Sequence, residues 1–329
     1  VPLRVTLSKA SENYTNRCVQ LNRWKLIKKS SYFKNQKEDI PAFEKWVNKL
    51  EKINGYEYDK LSIDTSLGKT KIYGFNTENN ELNTLLIFPG YRTSSLIWDV
   101  EKGLGNISKE LRIFFIETNG QPNLSEGNSP DIRNLDYGIW GSEIFDKLNI
   151  QSAYIAGASF GGLICMKISL VIPNKIKCAF LLNPACFRMI SFGFKNLYYN
   201  LLPMLKTTDE NIRKFLNKVI FHKPEHSISK ESEVLLLEYL HLAISKYKDK
   251  TEKPYYMGNE LNKIEVETHL IVGENDIIIP PEKSIRKAKK HLKNNLKNIQ
   301  IFEGVGHGIE LYYPCLTYIE KTIKAHNKT

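Results

Sequence analysis

An apolar run, Ala153-Tyr154-Ile155-Ala156, passes directly into Gly157-Ala158-Ser159-Phe160-Gly161 and then into the helix-like stretch Gly162-Leu163-Ile164-Cys165-Met166-Lys167-Ile168. A strand that turns into a helix within three residues needs a strained backbone at the corner, and glycines two before and two after Ser159 permit it. The pattern presents one serine hydroxyl at the end of a buried strand. Such a hydroxyl is a poor nucleophile at neutral pH, so it acts only beside a base and opposite N–H donors that hold the developing oxyanion. The bland alternative is a Gly/Ser turn at a buried strand–helix junction.

The rest of the chain agrees with a strand–helix alternation. Leu85-Leu86-Ile87-Phe88, Leu111–Glu117, Cys178–Leu182, Thr268–Gly273 and Ile299–Phe302 are short apolar runs with helical stretches between them. Tyr56–Asp64 and Lys71–Asn76, broken at Ser66-Leu67-Gly68-Lys69, read as a hairpin. The expected fold is α/β, a doubly wound, mainly parallel sheet whose reactive groups collect at the carboxyl ends of the strands. Between Pro184 and Val266 no convincing strand occurs, and helical spacing (Ile212, Phe215, Leu216, Val219; Val234–Leu237) marks an inserted helical cap. Its aromatic entry, Phe187, Phe192, Phe194, Tyr198 and Tyr199, suggests an apolar cap, with most of these rings building the insert's own core, and the insert is expected to cover the serine and turn apolar side chains toward it. The domain reading is a basic N-terminal arm at 1–52, a core at 53–185 and 264–329, and a cap at 186–263.

Charge is concentrated at one end. The formal net charge is +11, of which residues 1–52, with 12 Lys/Arg against 5 Asp/Glu, carry +7. The remainder is ordinary for a soluble enzyme, so nucleic-acid binding ranks last. In the arm, Pro41 is expected to separate two helical pieces, and Phe43, Trp46, Val47 and Leu50 form one apolar stripe. A brace packed on the core is the reading chosen; peripheral membrane contact through residues 1–52 is the alternative. The longest apolar stretch, Ser152–Pro173, contains the glycine-rich turn and Lys167, so it reads as strand plus buried helix rather than a membrane span. Five widely spaced cysteines without a C-x-x-C pair suggest free, buried thiols and a cytoplasmic setting. The chain starts at Val1, which as a processed terminus would leave export open.

Two later loops supply partners for Ser159. Gly273-Glu274-Asn275-Asp276 follows an apolar strand and offers a carboxylate, Asp276, with Glu274 the first alternative. Gly304-Val305-Gly306-His307-Gly308 follows the last strand and offers a base. The other histidines (222, 226, 241, 269, 291 and 326) lack such flanks.

The order Ser159, Asp276, His307, together with Leu-Ile-Phe-Pro-Gly-Tyr (86–91), Gly-Ala-Ser-Phe-Gly-Gly (157–162), Val-Gly-Glu-Asn-Asp (272–276) and Gly-His (306–307), resembles the α/β-hydrolase superfamily from about Tyr56 onward, and within it small bacterial carboxylesterases with a helical cap. The resemblance implies a Ser159–His307–Asp276 catalytic triad and an oxyanion hole built from the backbone N–H groups of Tyr91 and Phe160. Pro89-Gly90 stands where many members carry His-Gly, which leaves open what braces that loop. A serine rather than an aspartate at the turn points to acyl chemistry. The function expected is hydrolysis of a carboxylic ester of a small, partly apolar substrate; a thioesterase, lactonase or acyltransferase would share every motif, and a non-catalytic binding protein ranks lower. No cofactor and no metal are expected, since H-E-x-x-H, the phosphate-binding loop and the dinucleotide fingerprint are all missing. Oligomeric state is left open.

Overall fold

The computed structural model describes residues 29–189 and 193–326. Eight strands form one sheet: β1 Asp59–Thr65, β2 Gly68–Phe75, β3 Asn83–Phe88, β4 Leu111–Ile116, β5 Ala153–Ala158, β6 Ile176–Leu182, β7 Thr268–Gly273 and β8 Leu296–Phe302. Their spatial order is β1-β2-β4-β3-β5-β6-β7-β8, with β1 and β2 antiparallel and every neighbour pair from β4 through β3 to β8 parallel. The expected hairpin and six further strands are all present. The turn of the hairpin is tighter than expected, because Gly68 already opens β2 with φ 96°, a left-handed value that suits glycine.

Alternation along the strands sorts the core into two layers. Leu85 and Ile87 of β3 face one side with Ile113, Phe115, Tyr154 and Phe180, whereas Leu86 and Phe88 face the other with Phe114, Ile116, Ile155 and Leu181. The α-helices of seven residues or more among those described are α1 Gln36–Asn54, α2 Asp136–Lys147, α3 Phe160–Val171, α4 Phe194–Leu205, α5 Asp209–Phe215, α6 Lys230–His241, α7 Pro281–Leu292 and α8 Tyr313–His326. Helices α2, α3 and α7 pack on the Leu86 side; α1, α6 and α8 pack on the Leu85 side. Lys167 is buried within α3, where its ammonium donates to the Tyr255 hydroxyl at 2.7 Å and to Glu260 at 2.6 Å. Among the described residues no helix is long and apolar enough to cross a membrane. Cys165, Cys178, Cys186 and Cys315 are buried free thiols; Cys18 lies outside the described residues.

Three expectations need correction. Pro41 does not divide two helices: it lies inside α1, one unbroken helix ended by Gly55 at φ 80°, whose N–H closes on the Glu51 carbonyl. The first half of the arm, with Trp24, Leu26 and Ile27, lies outside the described residues, but Phe43, Trp46, Val47 and Leu50 are all buried, and Trp46 Nε1 donates to the Leu235 carbonyl of α6 at 2.9 Å. Second, the segment 184–266 is not free of strands, since Tyr247–Lys248 pairs antiparallel with Tyr32–Phe33. Third, the ends of that segment belong to the core: Cys186, Phe187, Tyr255, Met257, Leu261 and Ile264 pack with the Leu86 layer.

Candidate active site

Ser159 follows β5 and precedes α3 with φ 50° and ψ −108°, a conformation that a non-glycine residue holds only where its surroundings over-determine it. Those surroundings are specific. The Ser159 N–H donates to the Leu182 carbonyl at the end of β6, and the Ser159 carbonyl accepts from Gly162 and Ala185 at 3.1 and 2.9 Å. A Cβ on Gly157 would meet the Gly161 carbonyl at 2.3 Å, and one on Gly161 would meet the Phe88 carbonyl at 2.2 Å. No larger residue fits either position without displacing backbone.

Asp276 and His307 are brought together as expected. His307 Nδ1 lies 2.8 Å from Asp276 Oδ2, and the other carboxylate oxygen accepts the N–H groups of Ile278 and Ile279 at 2.8 and 2.9 Å. The aspartate side chain is fully buried, whereas the imidazole is 12% exposed. Burial alone would discharge the ring; the charge of Asp276 and its hydrogen bond outweigh that and raise the His307 pKa above its ordinary 6.5. Glu274, the alternative acid, instead accepts the N–H of Gly304 at 3.2 Å and is solvent-exposed.

The loop after β3 holds Tyr91. Its neighbour Arg92 donates its main-chain N–H to Gln121 Oε1 at 2.6 Å and its Nε to Asp249 at 2.7 Å; Thr93 Oγ1 donates to the Gly90 carbonyl at 2.9 Å. Beyond it, Ser94 and Ser95 hydroxyls and the Ser95 N–H converge on one oxygen of buried Glu117 at 2.6, 2.7 and 3.1 Å. This network answers what braces the loop where Pro89-Gly90 occurs. Burial raises the Glu117 pKa to about 7, and its second oxygen has no partner among the described residues. No protein acceptor among the described residues takes the N–H of Tyr91 or of Phe160.

Two further bracing residues escaped the sequence reading. Asn183, directly after β6 at φ 41°, accepts the Gly273 N–H at 2.9 Å and donates to the carbonyls of Gly306 and His307 at 3.2 and 3.0 Å. Buried His226 accepts the Gly306 N–H on Nδ1 at 3.1 Å, and burial lowers its pKa to about 4, so the ring is neutral as an acceptor must be. Nothing but an Asn-Pro pair after a strand, or a histidine between turns, signalled either one.

Of the aromatic entry, Tyr199 packs beside an apolar cluster of Ala185, Val219, Ile278 and Ile279, next to the elbow and the Asp276 loop. Phe187 is core, Phe192 lies outside the described residues, and Phe194 and Tyr198 face solvent. Of the four described aromatics of this stretch Tyr199 alone packs on that cluster, where Phe215, Ile220 and Ile277 join it.

A mainly parallel sheet in this strand order, with a serine on a positive-φ elbow after β5 and an aspartate–histidine pair on the loops after β7 and β8, defines an α/β-hydrolase. The chain belongs to the family described as serine aminopeptidase, S33, whose model matches residues 142–311. It is 23% identical over 263 residues to an uncharacterized carboxylesterase, nap, of Bacillus subtilis (strain 168), spanning 79% of this chain and 84% of that one. Among solved structures it is similar to the naproxen esterase (carboxylesterase NP) and to carboxylesterase CesB (YbfK), both of Bacillus subtilis. The TM-score is 0.68 for each, with 20% and 18% identity, covering 88% of this chain and 98% of theirs.

Proposed function

We propose that the protein is a serine hydrolase that cleaves a carboxylic ester of a small, partly apolar substrate through an acyl-enzyme. The observation that carries this reading is the Asp276–His307 hydrogen bond at 2.8 Å, taken together with a serine held at φ 50° on the turn after β5. Ser159 Oγ attacks the ester carbonyl as His307 Nε2 takes its proton, with Asp276 holding the ring in the tautomer that leaves Nε2 free. The tetrahedral oxyanion is held by the N–H groups of Tyr91 and Phe160, and the amino end of α3 adds a favourable partial charge. The carbon–oxygen bond to the alcohol breaks as His307 returns the proton to it. Water, deprotonated by the same imidazole, then attacks the acyl-enzyme, and the acid leaves with Ser159 regenerated.

The apolar cluster around Ala185, Val219, Ile278 and Ile279 supports a hydrophobic acyl or alcohol group. The names of the Bacillus subtilis relatives support esters over thioesters, lactones or acyl transfer. The test is a panel of p-nitrophenyl esters, thioesters, lactones and anilides run beside Ser159→Ala, with a fluorophosphonate probe to label the serine. Labelling at Ser159 with ester turnover lost by about four to six orders of magnitude in the variant is the expected result. Turnover unchanged in Ser159→Ala refutes the assignment.

A further inference from the structure

Seven of the twelve large apolar residues that are exposed among those described lie between 189 and 205. Along α4 the spacing 194, 197, 198, 201, 205 places Phe194, Leu197, Tyr198, Leu201 and Leu205 on one side of the helix, while Asn196 and Pro203 on the opposite side are buried. Phe194 and Leu205, at the two ends, are 84% and 81% exposed, and the Phe194 and Tyr198 rings stack at 6.4 Å. A surface helix normally turns such a stripe inward; one turned outward marks a surface that is covered in use.

Charge identifies the occupant. Residues 188–218 hold six Lys/Arg against two Asp/Glu, a net +4. Arg188, Lys206 and Lys218 form no ion pair at contact distance among the described residues. A second copy docked through this face would set +4 against +4, and the chain's own residues 1–28, with six Lys/Arg against one Glu, are cationic too. Both arrangements are repulsive, whereas an anionic surface is complementary. The stripe is a single convex helix with projecting aromatic and aliphatic tips, the form that lies in the plane of a lipid–water interface with its apolar side among acyl chains and its cations at the headgroups. The helix's far end adjoins the proposed oxyanion loop, since Arg92 Nη1 contacts Met204 Sδ at 3.5 Å.

We propose that the outer face of α4 docks the protein on an anionic lipid surface. The inference goes beyond the proposed chemistry and stands without it, because binding can be read in Ser159→Ala.

The experiment is co-sedimentation of the full chain and of its Ser159→Ala form with phosphatidylglycerol/phosphatidylcholine vesicles and with phosphatidylcholine vesicles at physiological salt. Phe194→Ser/Leu205→Ser and Lys206→Glu/Lys218→Glu are assayed alongside, with melting temperature and p-nitrophenyl acetate hydrolysis as controls. Binding to the anionic vesicles is expected, weakened about tenfold or more by either pair of substitutions, with melting and the soluble-ester rate unchanged. The proposal is overturned by the absence of binding to anionic vesicles, by equal binding to the neutral ones, or by binding that both helix variants retain, which would assign it to the N-terminal residues. A self-associated chain that Phe194→Ser/Leu205→Ser turns monomeric, seen by sedimentation equilibrium, overturns it in favour of a second copy. Vesicle binding without ester turnover would refute the proposed chemistry and leave the docking surface standing.

Discussion

Asn183 donates its side-chain amide to the main-chain carbonyl of His307 at 3.0 Å and, through its oxygen, accepts the N–H of Gly273 at 2.9 Å. One buried amide thus ties the loop of the proposed base to the strand that leads to the proposed acid, while the preceding residue, Leu182, accepts the N–H of Ser159. Asn183→Ala leaves two carbonyls and one N–H without their partner at a buried position. It should cost about 3 kcal/mol of stability in urea unfolding and lower kcat by about 10- to 100-fold with KM little changed. A kcat within twofold of wild type would show that the loop holds its geometry without this residue.

The pH profile follows from His307. Its pKa lies above 6.5, so the ring is charged and useless as a base below that value, and the acid limb of kcat/KM should fall at a pH higher than 6.5. The same shift acts on stability with a fixed sign. A raised folded-state pKa means that the Asp276–His307 pair stabilises the fold fully below the unfolded pKa and loses that contribution as pH rises through the folded one. Asp276→Asn removes the charge that raises the pKa; the limb should move to lower pH, and kcat should drop by about 10⁴ through the wrong imidazole tautomer. Rate profiles from pH 5 to 9 on both proteins check it.

Glu117 gives a second pH signature, away from the reacting atoms. With the folded pKa at about 7 against an ordinary 4.5, the fold binds this proton more tightly than the unfolded chain does, and stability falls as pH rises from about 4.5 to about 7. Glu117→Gln keeps an acceptor for Ser94 and Ser95 without the charge. Relative to wild type it should gain stability on going from pH 5 to pH 8, by roughly 3 kcal/mol if the whole shift is realised. Denaturant unfolding of the two proteins at both pH values measures it, and parallel pH curves would count against a buried, titrating carboxyl.

Much of this architecture is readable from local pattern. The elbow and the loops of the proposed acid and the proposed base each announce themselves because a turn must follow a strand within a few residues, and glycine is the residue that lets it. Polar residues that act at a distance carry no such mark. Asn183, His226 and Glu117 are single side chains whose partners lie 90, 80 and 22 or more residues away, so their meaning exists only once the sheet has placed the strand ends together. The split among the aromatics of the insert has the same origin. Phe187 and Phe194 are equally apolar and seven positions apart, yet one is core and the other faces solvent, because orientation depends on which neighbours the insert meets.

Phe43 lies at the centre of the contact between α1 and α6, with ring centroids 6.1 Å from Tyr239 and 5.5 Å from Trp46. Phe43→Ala opens a cavity in a fully buried site and should cost about 3–5 kcal/mol, which a lowered melting temperature will show. The rate per folded molecule on p-nitrophenyl acetate should be unchanged below the transition. A variant of wild-type stability would mean that the arm is not a brace.

That contact divides the insert into two unlike halves. Its second half is fastened to α1 by the Trp46–Leu235 hydrogen bond and the Lys49–Glu238 pair, and to the β8 side by Gly306 and Gly308, whose N–H groups meet His226 and Ile220. Its first half, α4 and α5, meets the loop after β3 through the Arg92–Met204 contact. A mutagenesis library confined to the exposed positions of 194–205, which leaves buried Asn196, Pro203 and Ile212 untouched, would therefore vary the surface beside that loop while sparing the residues that keep the chain folded.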